Sequence, residues 1–425
     1  MTSPLPAGEA QGAALPKTST AADVERALAA LRVAQRSLAA RRREEVVASL
    51  SATVDDWLAT DSRWLSQAVA LLPDATGFSA PMIRTALPMM LEALRAPGLA
   101  DLVEREAGER RGPALILHVL PGNLPGLAAI PAALSLAVGS AALLKEGRGD
   151  RIFPALFVAS LAARDPELAA CLHTLYWPGG DRGCEDVALA ATDLVVASGD
   201  DASIADLAGR SRARFIGHGH RISFAVVTQA QVDADDTAAG IARDVAIWDQ
   251  RGCLSPQLCF VEGGFADARA FATRVSGQLS RLVEELPPAV MTLGDRLAVR
   301  RCRDEAEWMT FDGEHSEAMT WGDEATGTVL LEPRPRFAPS PLGRTLRVMP
   351  IPSFEALAAL VAPYRGVLEG AALGAEPDRW TALADHLRQS GVHLVSQPGA
   401  MQRPPLDWRQ GGRPRLADWL DGDAA

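Results

Sequence analysis

Cysteine is scarce in this 425-residue chain, and Cys171, Cys184, Cys253, Cys259 and Cys302 form no C-x-x-C pair. They do not make the even framework of a short secreted scaffold, so a reducing cytoplasm is the economical setting. Positive charge is also in short supply: 42 Lys and Arg against 53 Asp and Glu leave a net charge of −11. Bulk electrostatics therefore give no support to duplex nucleic acid or an anionic membrane as partner. No G-x-G-x-x-G follows a strand, and G-x-x-x-x-G-K-[ST], H-E-x-x-H and G-x-S-x-G are all missing. Ordinary Rossmann, P-loop, zincin and serine-hydrolase readings lose their main support. Only residues 124–144, LPGLAAIPAALSLAVGSAALL, are long and uncharged enough to imitate a membrane span. Their two prolines, two glycines and alanine-rich content, ending in Lys145, fit a buried helix followed by a buried strand instead.

What is present is ample core material, 48% hydrophobic residues, in a length that favours two or three domains. The first 20 residues, rich in Pro, Gly, Ala and Thr, read as a flexible tail. From about 21 to 96, leucines and alanines recur at three- and four-residue steps, a helical pattern. Residues 96–113 are polar and broken by Gly and Pro, and are expected to form a loop or extended arm. Short apolar strands then alternate with helical stretches: ALILHV, AALLK, LHTLYW and DLVVAS, with helices near 124–138, 151–164, 183–191 and 201–209. That alternation predicts a parallel sheet covered by helices on both faces. A second α/β unit begins at ISFAVV and continues through LCFVEGG, a helix near 266–286, TGTVLLEP and RTLRVMPI.

The most pointed chemical feature is DQRGCLSPQ, residues 249–257, between a helical stretch and a strand. Gly252, Ser255 and Pro256 make an exposed turn around Cys253, whereas Cys171 and Cys259 have apolar neighbours. Cys253 is the best candidate nucleophile. His218 and His220 in GHGH stand two residues apart, but no third ligand lies at a recognisable spacing, so no metal is expected.

Five blocks in fixed order carry a resemblance to a known family. PGNLPG (121–126) follows the first parallel strand, AALLK ends in Lys145, VVASG brings Ser198 and Gly199, GHGHRISF follows, and Cys253 comes 36 residues after Gly217. This order resembles the aldehyde dehydrogenase superfamily. GHxxSF, QxGCxSPQ and MQxPPLDW further resemble the LuxC-type acyl-CoA and acyl-thioester reductases, over roughly residues 45–420.

The resemblance implies an aldehyde dehydrogenase-like α/β fold. Residues 1–20 would be a flexible tail, 21–220 a helical segment plus a Rossmann-like NAD(P)-binding domain, 221–395 an α/β catalytic domain, and 396–425 a C-terminal arm for oligomerisation or domain packing. It implies Cys253 as nucleophile, with the Asn123 amide and the Cys253 N–H as oxyanion donors. Lys145, Arg148, Ser198 and Gly199 would bind the cofactor, NADPH in preference to NADH, and His218 and His220 are candidates either for the substrate side or for the turn that they stand in. Arg148 stands where the superfamily has a ribose-binding glutamate, and would oppose a 2′-phosphate. Glu146 argues the other way, as a partner for ribose hydroxyls if the strand end is shifted by two residues.

Gly217 stands where acid-forming dehydrogenases carry the glutamate that activates water, so an acyl-cysteine here would survive to be reduced. Asp200 replaces a small hydroxyl residue near the cofactor phosphates: either the register is one off or the side chain turns away as a helix N-cap. FAPSPLGRTL has Ser340 and no acid where a glutamate usually grips the nicotinamide ribose. The implied partners are an acyl-CoA or acyl-carrier-protein thioester, a second copy of the chain and an acyl-supplying enzyme. Two alternatives stay open: an acid-forming aldehyde dehydrogenase using His218 or His220 as base, and a catalytically silent docking subunit.

Overall fold

The computed structural model describes residues 17–311, 316–320 and 326–420. The chain divides into two compact units, the first comprising Met1–Thr76, Leu87–Gly219 and Arg413–Ala425, the second Gly77–Ala86 and His220–Gly412. The principal break thus falls between Gly219 and His220. The C-terminal stretch is shared, its last residues from Arg413 clustering with the first unit.

The first unit begins with helices α1 (Ala21–Ala40), α2 (Arg43–Leu58) and α3 (Arg63–Thr76); α4 (Ala80–Leu91) is divided, Ala80–Ala86 clustering with the second unit, and α5 (Gly98–Ala107) belongs to the first. Thr20 caps α1, exchanging hydrogen bonds with Asp23 in a capping box, and the Ser19 amide donates to the Tyr176 carbonyl at 2.7 Å. Residues 17–20 are therefore docked, while the rest of the expected tail, 1–16, lies outside the described residues. The expected loop over 96–113 contains α5 instead. Leu99, Leu102, Val103 and Ala107 recur at helical spacing and are all buried, a period that the flanking Gly and Pro conceal.

Five strands follow: β1 (Leu115–Val119), β2 (Ala141–Lys145), β3 (Leu172–Leu175), β4 (Leu194–Ser198) and β5 (Arg214–His218). Between them run α6 (Ala129–Ala137), α7 (Phe153–Arg164), α8 (Pro166–Ala169), α9 (Arg182–Ala191) and α10 (Asp201–Arg210). The strands form one parallel sheet in the order β3-β2-β1-β4-β5. Chain direction reverses its progress across the sheet between β1 and β4, the position at which doubly wound sheets bind ligands, at the carboxyl ends of the strands. The membrane-like run resolves into α6 and β2. No helix among the described residues is long and apolar enough to cross a membrane.

The second unit holds β6 (Ile222–Val227), α11 (Asp235–Ala246), β7 (Pro256–Glu262), α12 (Phe265–Glu285), α13 (Leu293–Phe311), β8 (Glu317–Thr320), β9 (Thr328–Leu331) and β10 (Thr345–Ile351). It continues with α14 (Phe354–Val361), β11 (Leu368–Gly374), α15 (Pro377–Gln389) and β12 (Leu394–Ser396). Its seven-stranded sheet runs β12-β11-β6-β7-β10-β9-β8, parallel except for β8. β6, β7 and β10 are almost wholly buried because both faces are covered, which is why they read as unbroken apolar runs. Phe224, Phe260, Met349 and Leu373 belong to the core beneath α14 and α15.

Candidate active site

The carboxyl ends of β1, β2 and β4 gather one set of expected residues in the first unit. Lys145 pairs in register with Val119, placing the end of β2 beside the turn that carries Asn123. That turn and the loop after β2 touch backbone to backbone: a Cβ on Gly122 would come within 2.6 Å of the Gly149 nitrogen and 2.9 Å of the Arg148 nitrogen. Glycine is required because no side chain fits between the two turns. Asn123 and Arg148 are exposed, whereas Lys145 is half-buried and its ammonium is pushed down by burial. Glu146 is buried and its Oε2 has no hydrogen-bond partner. Burial raises its carboxyl to about 7 and that of Asp150 likewise to about 7.

Ser198 pairs with His218 across β4 and β5, and the Gly199 amide donates to the His218 carbonyl at 3.3 Å. The Asp200 question is answered by its geometry: its carboxylate is the N-cap of α10, accepting from the Ser203 amide at 2.9 Å and the Ser203 hydroxyl at 2.7 Å. These bonds hold its carboxyl below the usual range. The Asp201 carboxylate lies over Gly219, where a Cβ would meet its Oδ1 at 2.1 Å. The amino end of α10 thus carries two acids, one of which occupies the Ser203 amide, a setting less favourable to a phosphate than an uncapped helix start. At Gly217 a Cβ would approach Ile204 Cγ2 at 2.6 Å, so a glutamate side chain there would have to displace Ile204 of α10.

The second unit positions Cys253 by a different device, at the amino ends of its strands. The Ser223 hydroxyl, from GHxxSF at the start of β6, donates to the Cys253 carbonyl at 2.7 Å and accepts from the Gly370 amide at 3.0 Å. The Gln402 amide, from MQxPPLDW, donates to the Ser255 hydroxyl at 3.2 Å. Asp244 of α11 fixes that C-terminal block by accepting from the Gly399 and Met401 amides at 2.7 and 3.0 Å. Gln250 bridges both ways, donating to the Pro256 and Thr345 carbonyls and accepting from the Thr345 amide at 2.7 Å. Three of the quoted blocks, GHxxSF, QxGCxSPQ and MQxPPLDW, are therefore joined by hydrogen bonds around one loop.

That loop is conformationally expensive. Trp248, Asp249 and Gln250 have φ of 59°, 47° and 62°, and Leu342, Gly343 and Arg344 have φ of 69°, 63° and 58°. A left-handed conformation costs roughly 1–2 kcal/mol per non-glycine residue, so five of these six must be held by their surroundings. Sequence reasoning did not single out Asp249, Gln250, Ser223, Arg344 or Gln402. All five stand inside stretches quoted above, Arg344 in FAPSPLGRTL, and that adjacency was the available signal.

Cys253 is half-buried, in contrast to Cys259, which is wholly buried in β7 with its thiol pushed far up by burial. Cys171 is raised to about 11 by burial. A thiol so raised is a poor nucleophile at neutral pH. His218 ends β5 in the first unit, and His220 belongs to the second. No group of three His, Cys, Asp or Glu side chains suited to a metal occurs among the described residues.

Three buried acids give a pH prediction. Burial raises Glu146 and Asp150 to about 7 and Asp244 to about 8, so the native state keeps protons that the unfolded chain has shed. Their contribution to stability falls as pH rises from the ordinary carboxyl range towards 8. His118, pushed down to about 3 by burial, acts oppositely but only below its unfolded value of 6.5. Between about pH 6.5 and 8.5 the melting temperature should fall, and Asp244→Asn should flatten the upper part of that fall. A rise over this interval in thermal scans would contradict the assignment.

Comparison with known proteins places this geometry in a group. A family model described as acyl-CoA reductase (LuxC) matches residues 38–413. The long-chain acyl-protein thioester reductase of Aliivibrio fischeri is 21% identical over 295 residues, 67% of this chain and 58% of that protein. The namesake from Photobacterium phosphoreum is 22% identical over 272 residues, 58% of this chain and 53% of that one. The matched region thus spans little more than half the length of these relatives. Among solved structures, aldehyde dehydrogenase C from Pseudomonas syringae, determined with NAD+ and octanal, aligns with a TM-score of 0.72 at 15% identity, covering 95% of this chain and 88% of that one. Aldehyde dehydrogenase 21 from Physcomitrella patens gives 0.72 at 15% identity, covering 95% and 90%. The fold is that of the aldehyde dehydrogenases.

Proposed function

The chain belongs to the LuxC family of acyl-CoA reductases, and on that footing we propose that it reduces an acyl-CoA or acyl-carrier thioester to the aldehyde through an acyl-cysteine on Cys253. The observation that carries this reading is the convergence of Ser223, Gln250 and Gln402 on the residues around Cys253. The Cys253 thiolate adds to the thioester carbonyl, the bond to the departing thiol breaks, and the acyl group remains on Sγ. The oxyanion is held by the Cys253 N–H and the Asn123 amide. A bound nicotinamide cofactor would supply the hydride that takes the acyl group to the aldehyde, with Cys253 Sγ released as thiolate and the one proton consumed ending on the departed thiol. In this reading the protein acts in the cytoplasm as a homo-oligomer, fed by an enzyme that supplies the acyl group.

A dinucleotide fits the ends of β1 and β2 on two observations: the partnerless Oε2 of buried Glu146 and the exposed Arg148, which no described hydrogen bond or ion pair engages. Lys145, Arg148, Ser198 and Gly199 are the residues assigned to hold it. A 2′-phosphate would gain charge-assisted hydrogen bonds from Arg148 worth ~1.5–3 kcal/mol. Fluorescence titration should show NADPH at least tenfold tighter than NADH, with the preference lost in Arg148→Ala. Equal affinities in the wild type would show that the charge of this strand end was misread.

The function itself is tested by product analysis. Acyl-CoA and NADPH should be consumed with equal release of aldehyde and free CoA. Fatty acid as the main product would favour an acid-forming enzyme, and no turnover a silent subunit.

A further inference from the structure

Two strained segments, 95 residues apart in the chain, are locked together beside the nucleophile. Arg344 donates through Nε to Asp249 Oδ1 at 2.5 Å and through Nη2 to the Leu286 carbonyl at 2.7 Å. The other carboxylate oxygen of Asp249 accepts from the Ala289 amide at 2.7 Å, and the Gly343 amide donates to the Asp249 carbonyl at 3.2 Å. Both side chains are almost completely buried, Arg344 at 1% exposure and Asp249 at 4%. Each charge sits in a triplet of left-handed residues, 248–250 and 342–344, so the ion pair clasps one improbable turn to the other. Gln250, next in the chain, is tied to Thr345, next after Arg344, so the clasp has a neutral second rung.

A buried ion pair is a weak way to gain stability compared with apolar packing of the same volume. Strained backbone of this kind persists where the surroundings over-determine it, and it clusters at active sites. Asp249 lies four residues before Cys253, and the intervening turn carries the Cys253 N–H that the functional reading above assigns to the oxyanion. We propose that the Asp249–Arg344 pair is a positioning device: it fixes the 248–252 turn so that the Cys253 N–H and Sγ are aimed together at a thioester carbonyl. The proposal rests on that reading of Cys253. Neither residue touches the substrate; both act through the backbone.

Two variants separate this role from a structural one. Asp249→Asn is suited to the test because asparagine tolerates the left-handed conformation. Asp249 meets Arg344 Nε and the Ala289 N–H through different oxygens, and asparagine puts an NH2 donor in place of one of them, so one of the two contacts is lost. Arg344→Lys keeps the charge but cannot reach Asp249 and the Leu286 carbonyl with a planar fork. In the full-length protein, acylation of Cys253 by an acyl-CoA is followed by peptide mass, beside alkylation of the same thiol by iodoacetamide, which builds no oxyanion. Acylation should fall at least tenfold in both variants with little change in the apparent KM for acyl-CoA, while alkylation changes less than about threefold.

Acylation at the wild-type rate in either folded variant overturns the proposal. So does a parallel loss of acylation and alkylation, or failure of both variants to fold, each of which makes the pair an ordinary structural element. Wild-type protein that alkylates at Cys253 but never acylates instead overturns the functional reading, and the proposal with it.

Discussion

Cys253→Ala should abolish both acyl-enzyme formation and aldehyde production, leaving no activity above background. The expectation follows from chemistry that no neighbouring group replaces: without Sγ there is no atom on which to park the acyl group between departure of the thiol and delivery of hydride. Cys259→Ala is the control. Cys259 is buried in β7 with its thiol pushed far up, so its loss should leave a small cavity, cost on the order of 1 kcal/mol of stability and spare turnover. Steady-state assays of both variants, with folding checked by thermal melts, decide the point. Substantial turnover by Cys253→Ala would sink the mechanism.

Asn123→Ala should lower turnover by about 10²–10³ while leaving the apparent affinity for acyl-thioester almost unchanged. An oxyanion donor is worth most where negative charge develops, in the transition state and not in the ground state. Asn123 stands exposed on a turn whose shape is set by Gly122 against the backbone of Arg148 and Gly149. Thermal melts of wild type and variant check that the fold is intact. A variant changed only in KM would make Asn123 a turn residue and nothing more.

Much of the architecture was legible because buried parallel strands announce themselves as short apolar runs. β1, β2, β4, β6, β7 and β10 all do so. β5 escaped because it begins at an exposed Arg214 and contains Gly217, and β11 because Gly370 and the buried Glu369 interrupt its apolar character. α5 was hidden by the glycine and proline that flank it.

Motif order identified Cys253, Ser198 and Asn123 as candidates, since each sits in a block of fixed spacing. It could not reveal the Asp249–Arg344 clasp, because the partners are distant in sequence and each looks like a surface charge until the sheet brings them together. Nor could it choose between the two readings of Asp200, which needed the bonds to Ser203. Motif alignment also could not see that Ile204 fills the space beside Gly217.

The central claim is that an acyl group passes through Cys253 on its way to an aldehyde, and one single-turnover measurement addresses it directly. Protein is mixed with a stoichiometric acyl-CoA in the absence of reductant, and the tryptic peptide containing Cys253 is weighed before and after NADPH is added. The expected result is an acyl mass increase on that peptide alone, discharged on addition of NADPH with an equal amount of aldehyde released. Acylation of another residue, or loss of the acyl group as free acid before NADPH arrives, would contradict it.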